Sequence, residues 1–390
     1  MTTTEQTPTP WDGIAKIRSR FLVALVVLGL VMGSILFPTA SLPVSFLASP
    51  MHAQTPSVAV GIDATTRTRL NRALAFLHRN QNRDGSWTDR VGRKVHYHYE
   101  CHLARHVGVT ALAGMAFLST GVLPNQGPRK EYCVAVRKAI EFLMDNTHPN
   151  GYVQAFGSRM YSHAFATLFL AQAYGTSIYP DAERLRDCLR RAVRLIVQSQ
   201  NQQGGWRYQP RSSDADMSVT VCTVMALRAA RNAGIQVPRS VIDAAIKYVR
   251  RSFEETVGGF RYQVHEFHGR SRHSFALTAC GVAALYGAGE YGAYEIREGL
   301  EYLWNNRPSV HTIAPRQTFD YYYGQYYAVQ AAFQAGGTYW NRWYQAVKKD
   351  LLSLQAPDGR WEDLVGPNYA TAMAIIILQM PNQYLPITES

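Results

Sequence analysis

Gln200–Leu227 reads QNQQGGWRYQPRSSDADMSVTVCTVMAL and carries the plan of the whole chain. A helix ends at Gln200, and a turn runs on to Trp206. A short polar loop reaches Ser213. Asp214 and Asp216 then open a very apolar helix. The turn recurs: Gln81-Asn82-Arg83-Asp84-Gly85-Ser86-Trp87 and Gln355-Ala356-Pro357-Asp358-Gly359-Arg360-Trp361 share its pattern of Gln, three residues, Gly, one residue, Trp. Copies that fix three uncommon choices mark a repeat protein. Glycine after an apolar-periodic run supplies the left-handed turn that stops a helix. Tryptophan is a large anchor with one N–H to satisfy. Glutamine beside a helix end can bond free backbone groups of its own or a neighbouring helix. These residues read as mortar between helices.

Weaker turns fall where the period requires them. Gly258-Gly259-Phe260-Arg261-Tyr262-Gln263 echoes Gly204-Gly205-Trp206-Arg207-Tyr208-Gln209, and Asn150-Gly151-Tyr152 marks another. Asn305-Asn306-Arg307-Pro308 stands at the fifth place without the pattern. Between the turns, apolar helices come in pairs: Leu70–Asn80 with Val107–Thr120, Cys133–Asn146 with Tyr161–Tyr174, and Leu185–Gln200 with Met217–Ala233. Val241–Phe253 follows with Ser274–Tyr286, Ile296–Asn305 with Tyr322–Ala335, and Trp343–Leu354 with Tyr369–Gln379. The first helix of a pair has one charged face; the second is apolar nearly all round. The first therefore meets water and the second is buried. The economical arrangement is an all-α, α/α toroid of about six pairs, with second helices inside and first helices outside, over residues 65–390. An open solenoid would leave inner faces needing charges or a partner.

Ahead of the toroid, Lys16, Arg18 and Arg20 precede an uncharged apolar run, Phe21 to Phe37. Residues 1–37 read as a cytoplasmic start and a signal or anchor helix, with the rest exported. No clean cleavage site follows, which favours a membrane-retained anchor. Residues 38–64 read as a linker. The net charge of +12 comes from scattered Arg with no dense basic run, so no nucleic-acid partner is expected. Five widely spaced cysteines form no disulfide framework and no CxxC pair.

Parallel inner helices would bring their N-termini to one rim. Asp214 and Asp216, Tyr161 and His163, His273, Tyr322, Tyr323, Tyr326, Tyr327 and Tyr369 all fall there. Tyrosines, histidines and carboxylates around an apolar mouth suit a pocket for an apolar ligand, with the tyrosine faces able to shelter a cation. Two carboxylates this close resist double ionisation in a dry site, so one can keep a proton and act as an acid. Asp before an apolar run is equally an N-cap, and a helix N-terminus favours the ionised form. Both readings stay open. His98, His102 and His106 are four apart and would share one face of a helix, which raises metal binding as an alternative to packing. Cys222 and Cys280 lie within inner helices as inert thiols.

The Gln-x-x-x-Gly-x-Trp turns and paired helices resemble the prenyltransferase/squalene oxidase repeat superfamily, which includes squalene–hopene cyclases. The likeness runs from about Thr66 to Pro386. GGWRYQP, DADMSVTVCTVMALRAARNAG, YYAVQAAFQAGG and LQMPNQYLPI look like exported bacterial members. The resemblance implies an α/α toroid and an isoprenoid or lipid-like ligand. Its cyclases protonate an alkene from the middle Asp of Asp-x-Asp-Asp and need no metal or other cofactor. Asp216 matches that acid and Asp214 its upstream neighbour, while Met217 replaces the third Asp. The zinc-binding relatives use Asp, a Cys two residues on, and a distant His. Here Ser218 stands at the Cys position and His273 in the place of the His, so no metal is expected. A non-catalytic binding or scaffold toroid is the alternative. A carbohydrate-active toroid is a further one; it would need Trp and carboxylates along a groove, whereas these Trp sit in turns.

Overall fold

The computed structural model describes residues 61–95, 98–176, 179–265, 272–310 and 320–383. The apolar run Phe21–Phe37 lies outside them, so the anchor and signal expectations do too. Among the described residues no helix is long and apolar enough to cross a membrane.

Among the described residues, twelve α-helices alternate in two classes. The outer helices are α1 (Ala64–Arg79), α3 (Lys130–Asp145), α5 (Ala182–Gln198), α7 (Arg239–Arg251), α9 (Tyr294–Asn305) and α11 (Gly337–Leu354). The inner helices are α2 (Val107–Leu118), α4 (Met160–Gly175), α6 (Met217–Asn232), α8 (Phe275–Gly287), α10 (Tyr321–Ala335) and α12 (Pro367–Gln379). Every residue of α2 is buried. In α5 the buried side chains are one stripe, Leu185, Cys188, Leu189, Ala192, Val193, Leu195 and Ile196, and its arginines face outward. Inner helices pack side by side in chain order, and α12 packs against both α2 and α1. The ring is closed.

The repeated turn does the joining. Its indole N–H donates to the outer helix just ended: Trp87 to Leu77 O, Trp206 to Ile196 O and Trp361 to Leu351 O, each at 2.8 Å. Its backbone N–H donates to a threonine hydroxyl on the following inner helix, Trp87 to Thr110, Trp206 to Thr220, Phe260 to Thr278 and Trp361 to Thr371. Its glutamine reaches the next outer helix. Gln81 Nε2 donates to Ala135 O at 2.9 Å, and Gln200 Nε2 to Val241 O at 2.8 Å. Gln355 Nε2 donates to Arg69 O at 2.9 Å, and so ties the last repeat to the first.

The glycine is required twice over. Gly359 has φ +99°, and a Cβ there would lie 2.6 Å from Arg72 O on α1. Gly359→Ala is therefore expected to cost about 1–3 kcal/mol of stability. Urea unfolding checks this; a loss near zero would mean the turn does not press on α1.

The stretch on which a helix would have grouped the histidines is sheet. Thr88–Val95 (β1) pairs antiparallel with His98–Arg105 (β2), with Asp89 opposite Ala104. His98 and His102 lie on β2 and His106 caps α2, so the three histidines do not share a helix face. Among the described residues no group of three or more His, Cys, Asp or Glu could hold a metal ion. A smaller hairpin, Phe253–Glu254 (β3) with Gly259–Phe260 (β4), forms the fourth turn.

Candidate functional site

Inner helices that all follow an outer helix and a turn start at one end of the ring. Asp216 starts α6. It has no solvent exposure, sits in extended backbone (φ −133°, ψ 155°), and its Oδ1 accepts Val219 N at 2.9 Å. Ser218 Oγ donates to the same oxygen at 2.5 Å. Oδ2 faces Arg207 Nη1 at 3.5 Å. Burial pushes the Asp216 carboxyl up to about 6, against the pull of Ser218, Val219 N–H and Arg207. Asp214 is half-exposed and pairs with Arg207 Nε at 3.2 Å. Gln263 Nε2 donates to Asp214 Oδ2 at 3.3 Å and to Ala215 O at 3.1 Å.

Arg207 lies over the rings of Tyr208 and Tyr262, 5.2 and 5.6 Å from their centroids. These tyrosines hold the same position in successive repeats, and their hydroxyl oxygens are 2.5 Å apart. Tyr161 on α4 is 6.1 Å from the Tyr208 ring and 6.0 Å from the Tyr323 ring of α10. Tyr323 OH donates to Ser218 O at 3.0 Å. Tyr323 and Tyr326 each pack edge-on to Tyr327, and Phe165 packs edge-on to Tyr326 at 6.1 Å. Helices α4 and α10 are three places apart in the ring, so these aromatics meet across its axis. Asp216, Tyr161, Tyr323, Tyr326 and Tyr327 thus belong to one continuous wall.

Other expected site residues stand elsewhere. His163 is fully buried, and its Nδ1 accepts Val153 N at 3.1 Å, so it fills the role that threonine has in other repeats. Burial pushes His163 down to about 4, which keeps it neutral. His273 lies by the second hairpin, 4.0 Å from Glu254 Oε2 and edge-on to Tyr302 of the outer helix α9. Tyr322 and Tyr369 lie within electrostatic reach of Asp363, in the sector of α10 and α12. In that sector Asp89, on β1, accepts Tyr369 N at 2.8 Å and so caps α12 from the far end of the sequence.

The sequence reading missed Arg207, Tyr208 and Tyr262 at the Asp216 site, and weighed Ser218 only as a replacement for a zinc-binding Cys. The first three had a signal, since WRYQ and FRYQ repeat in successive turns. Asp89 and Asp363 had none.

The buried carboxyls set a pH dependence. Burial pushes Asp89 up to about 7 and Asp363 up to about 8. Each binds its proton more tightly folded than unfolded, so its contribution to stability is lost as pH rises through the folded value. Neutral buried His163 and His106 act in the opposite sense, but only below about pH 6.5. Stability should therefore fall by about 2 kcal/mol between about pH 6.5 and 8.5. Urea unfolding across that window checks it, and Asp363→Asn should flatten the fall; equal slopes would remove the assignment.

The comparisons with known proteins fit this geometry. No protein-family model and no curated protein matches the chain. Solved structures do. The GH76A α-1,6-mannanase of Salegentibacter sp. HEL1_6 matches with TM-score 0.58 at 7% identity, over 81% of this chain and 99% of that one. The type II terpene cyclase MstE of Scytonema matches with TM-score 0.53 at 16% identity, over 82% and 99%. A protein from Actinoplanes matches with TM-score 0.52 at 14% identity, over 82% and 99%. The fold is an α/α toroid. A substituted variant of MstE has been solved with its substrate geranylgeranyl dihydroxybenzoate, and an inactive variant of the mannanase with α-1,6-mannotriose. At these identities the likeness concerns the fold alone.

Proposed function

We propose that the chain is an exported, membrane-tethered toroid that binds an isoprenoid or similar apolar chain against the Tyr161–Tyr323–Tyr327 wall. Asp216 is then its acid. The observation that carries this is a fully buried carboxyl at an inner-helix start, raised to about 6, beside tyrosines from α4 and α10. In the reaction the Asp216 O–H bond breaks and the alkene π pair forms the new C–H bond. A carbocation results, which ring faces stabilise. A second alkene closes the ring, and loss of a proton to water ends the cation. Asp214, through Arg207, tunes the charge that Asp216 meets.

A second reading has its own support. Three donors pull the Asp216 carboxyl toward its ionised form against burial, and aromatic side chains meet across the axis. A non-catalytic binding toroid would look the same. Incubating the full chain with squalene and geranylgeraniol separates the two. The first reading expects cyclised product from the wild type and about 10³-fold less from Asp216→Asn. Saturable binding without any product leaves the binding toroid, and neither binding nor product removes both.

A further inference from the structure

We propose that Asp89, Asp363 and Asn368 form a second binding site, at the seam where the last repeat closes on the first, for the protonated primary amine of a small molecule. The seam is built by backbone contacts between residues some 275 apart. Arg90 N donates to Val365 O at 2.9 Å, and Asn368 Nδ2 donates to Thr88 O at 3.1 Å. Asp89 and Asp363 are buried between these strands of chain, 2% and 5% exposed.

Once Asp363 is ionised, the unmet hydrogen-bonding capacity of Asp363 and Asn368 is that of acceptors. Asp363 Oδ1 accepts Val365 N at 2.8 Å, but its buried Oδ2 has no partner. Asn368 is 5% exposed; its amide nitrogen is spent on Thr88 O and Asp89 Oδ1, and its buried Oδ1 has no partner. Buried polar atoms are nearly always satisfied, so two orphan acceptors beside Asp89 call for a donor. A primary ammonium has three N–H donors and no acceptor.

Charge points the same way. Asp320 adds a negative charge that acts on both Asp363 and Tyr369, and Glu362 acts on Tyr322. The cation acting on Asp89 is Arg90, whose guanidinium donates to Leu364 O at 3.3 Å. Tyr99, Tyr322 and Tyr369 lie within electrostatic reach of Asp363 and add aromatic surface, which favours an organic cation. A divalent metal fits less well, since it wants a full shell of oxygens and the described residues offer no three-ligand group.

The site shares no residue with the Asp216 wall, so it stands or falls independently of the cyclase reading. Calorimetric titration of the full chain with ethylamine and putrescine tests it, with 1,4-butanediol, calcium chloride and mannotriose as comparisons. Saturable amine binding is expected below ~10 mM. It should be about tenfold tighter at pH 8 than at pH 6, because the carboxyls shed their protons across that interval while the amine keeps its own. Asp363→Asn should weaken binding about tenfold and Asp216→Asn should leave it unchanged. Asp320 is exposed, so Asp320→Asn keeps the fold; it should weaken binding about threefold, and it decides the matter if Asp363→Asn does not fold. No saturable amine binding, amine binding indifferent to both variants, or preferred binding of calcium or mannotriose would overturn the site.

Discussion

Trp206→Ala should unfold the toroid at much lower urea, with a loss of about 3–5 kcal/mol. The indole is 1% exposed and its N–H donates to Ile196 O at 2.8 Å. Truncation leaves a cavity where α5, α6 and the turn meet, and it removes one of the two donors to Ile196 O, leaving only Ser199 N at 3.0 Å. Gln200→Ala removes a smaller group from the same turn. It loses the bonds to Gly204 O and Val241 O, and about 1–2 kcal/mol. Urea midpoints for the two variants should therefore separate clearly. Equal small losses would mean that the outer ring does not hang on the turn anchors.

Asp216→Asn is expected to lower product formation about 10³-fold under the cyclase reading, while the melting midpoint moves little. Asparagine still accepts a hydrogen bond at an N-cap, so the Val219 N contact at 2.9 Å survives. What disappears is the transferable proton. Asp216→Ala makes the contrast. It removes the cap as well and should cost about 1 kcal/mol or more. Arg207→Leu acts in the opposite direction on the acid. Without the guanidinium 3.5 Å from Oδ2, the carboxyl rises above its present value of about 6, and any acid-dependent rate should extend to higher pH. Product formation measured across pH for these variants separates a proton donor from a cap.

Much of this architecture could be read from the residues. The Gln-Gly-Trp turns specify a helix stop, an anchor and a bond to the next outer helix, and the folded chain has all three. The contrast between one-faced α5 and fully buried α2 follows from hydrophobic pattern alone. The β1–β2 hairpin did not announce itself. Its histidines are four residues apart, and an interval of four keeps side chains on one face in a helix and in a strand alike. Only the alternation in KVHYHYE hinted at a strand. The seam was hidden for another reason: Asp89 meets Tyr369 across 280 residues, and no local pattern encodes such a contact. At the rim, adjacency in sequence found Asp214 and Asp216. Which tyrosines faced them depended on α4 and α10 meeting across the axis, and that is a property of the closed ring.

The wide scatter of arginines also has a plain explanation. Many hold the outer shell together through exposed pairs, such as Arg184 with Asp145 and Arg250 with Glu290. Exposed pairs of this kind stabilise little individually. They account for a basic chain without a basic patch.

Asp216 at the start of α6 is a dry carboxyl against the tyrosine wall. Carbon-13 NMR of the aspartate side chains reads it directly, with the Asp216 signal assigned by its loss in Asp216→Asn. A titration midpoint near 6 is the predicted result. A midpoint at or below the ordinary aspartate value of about 3.9 would contradict it, because Asp216 would then be a solvated cap and not a buried acid.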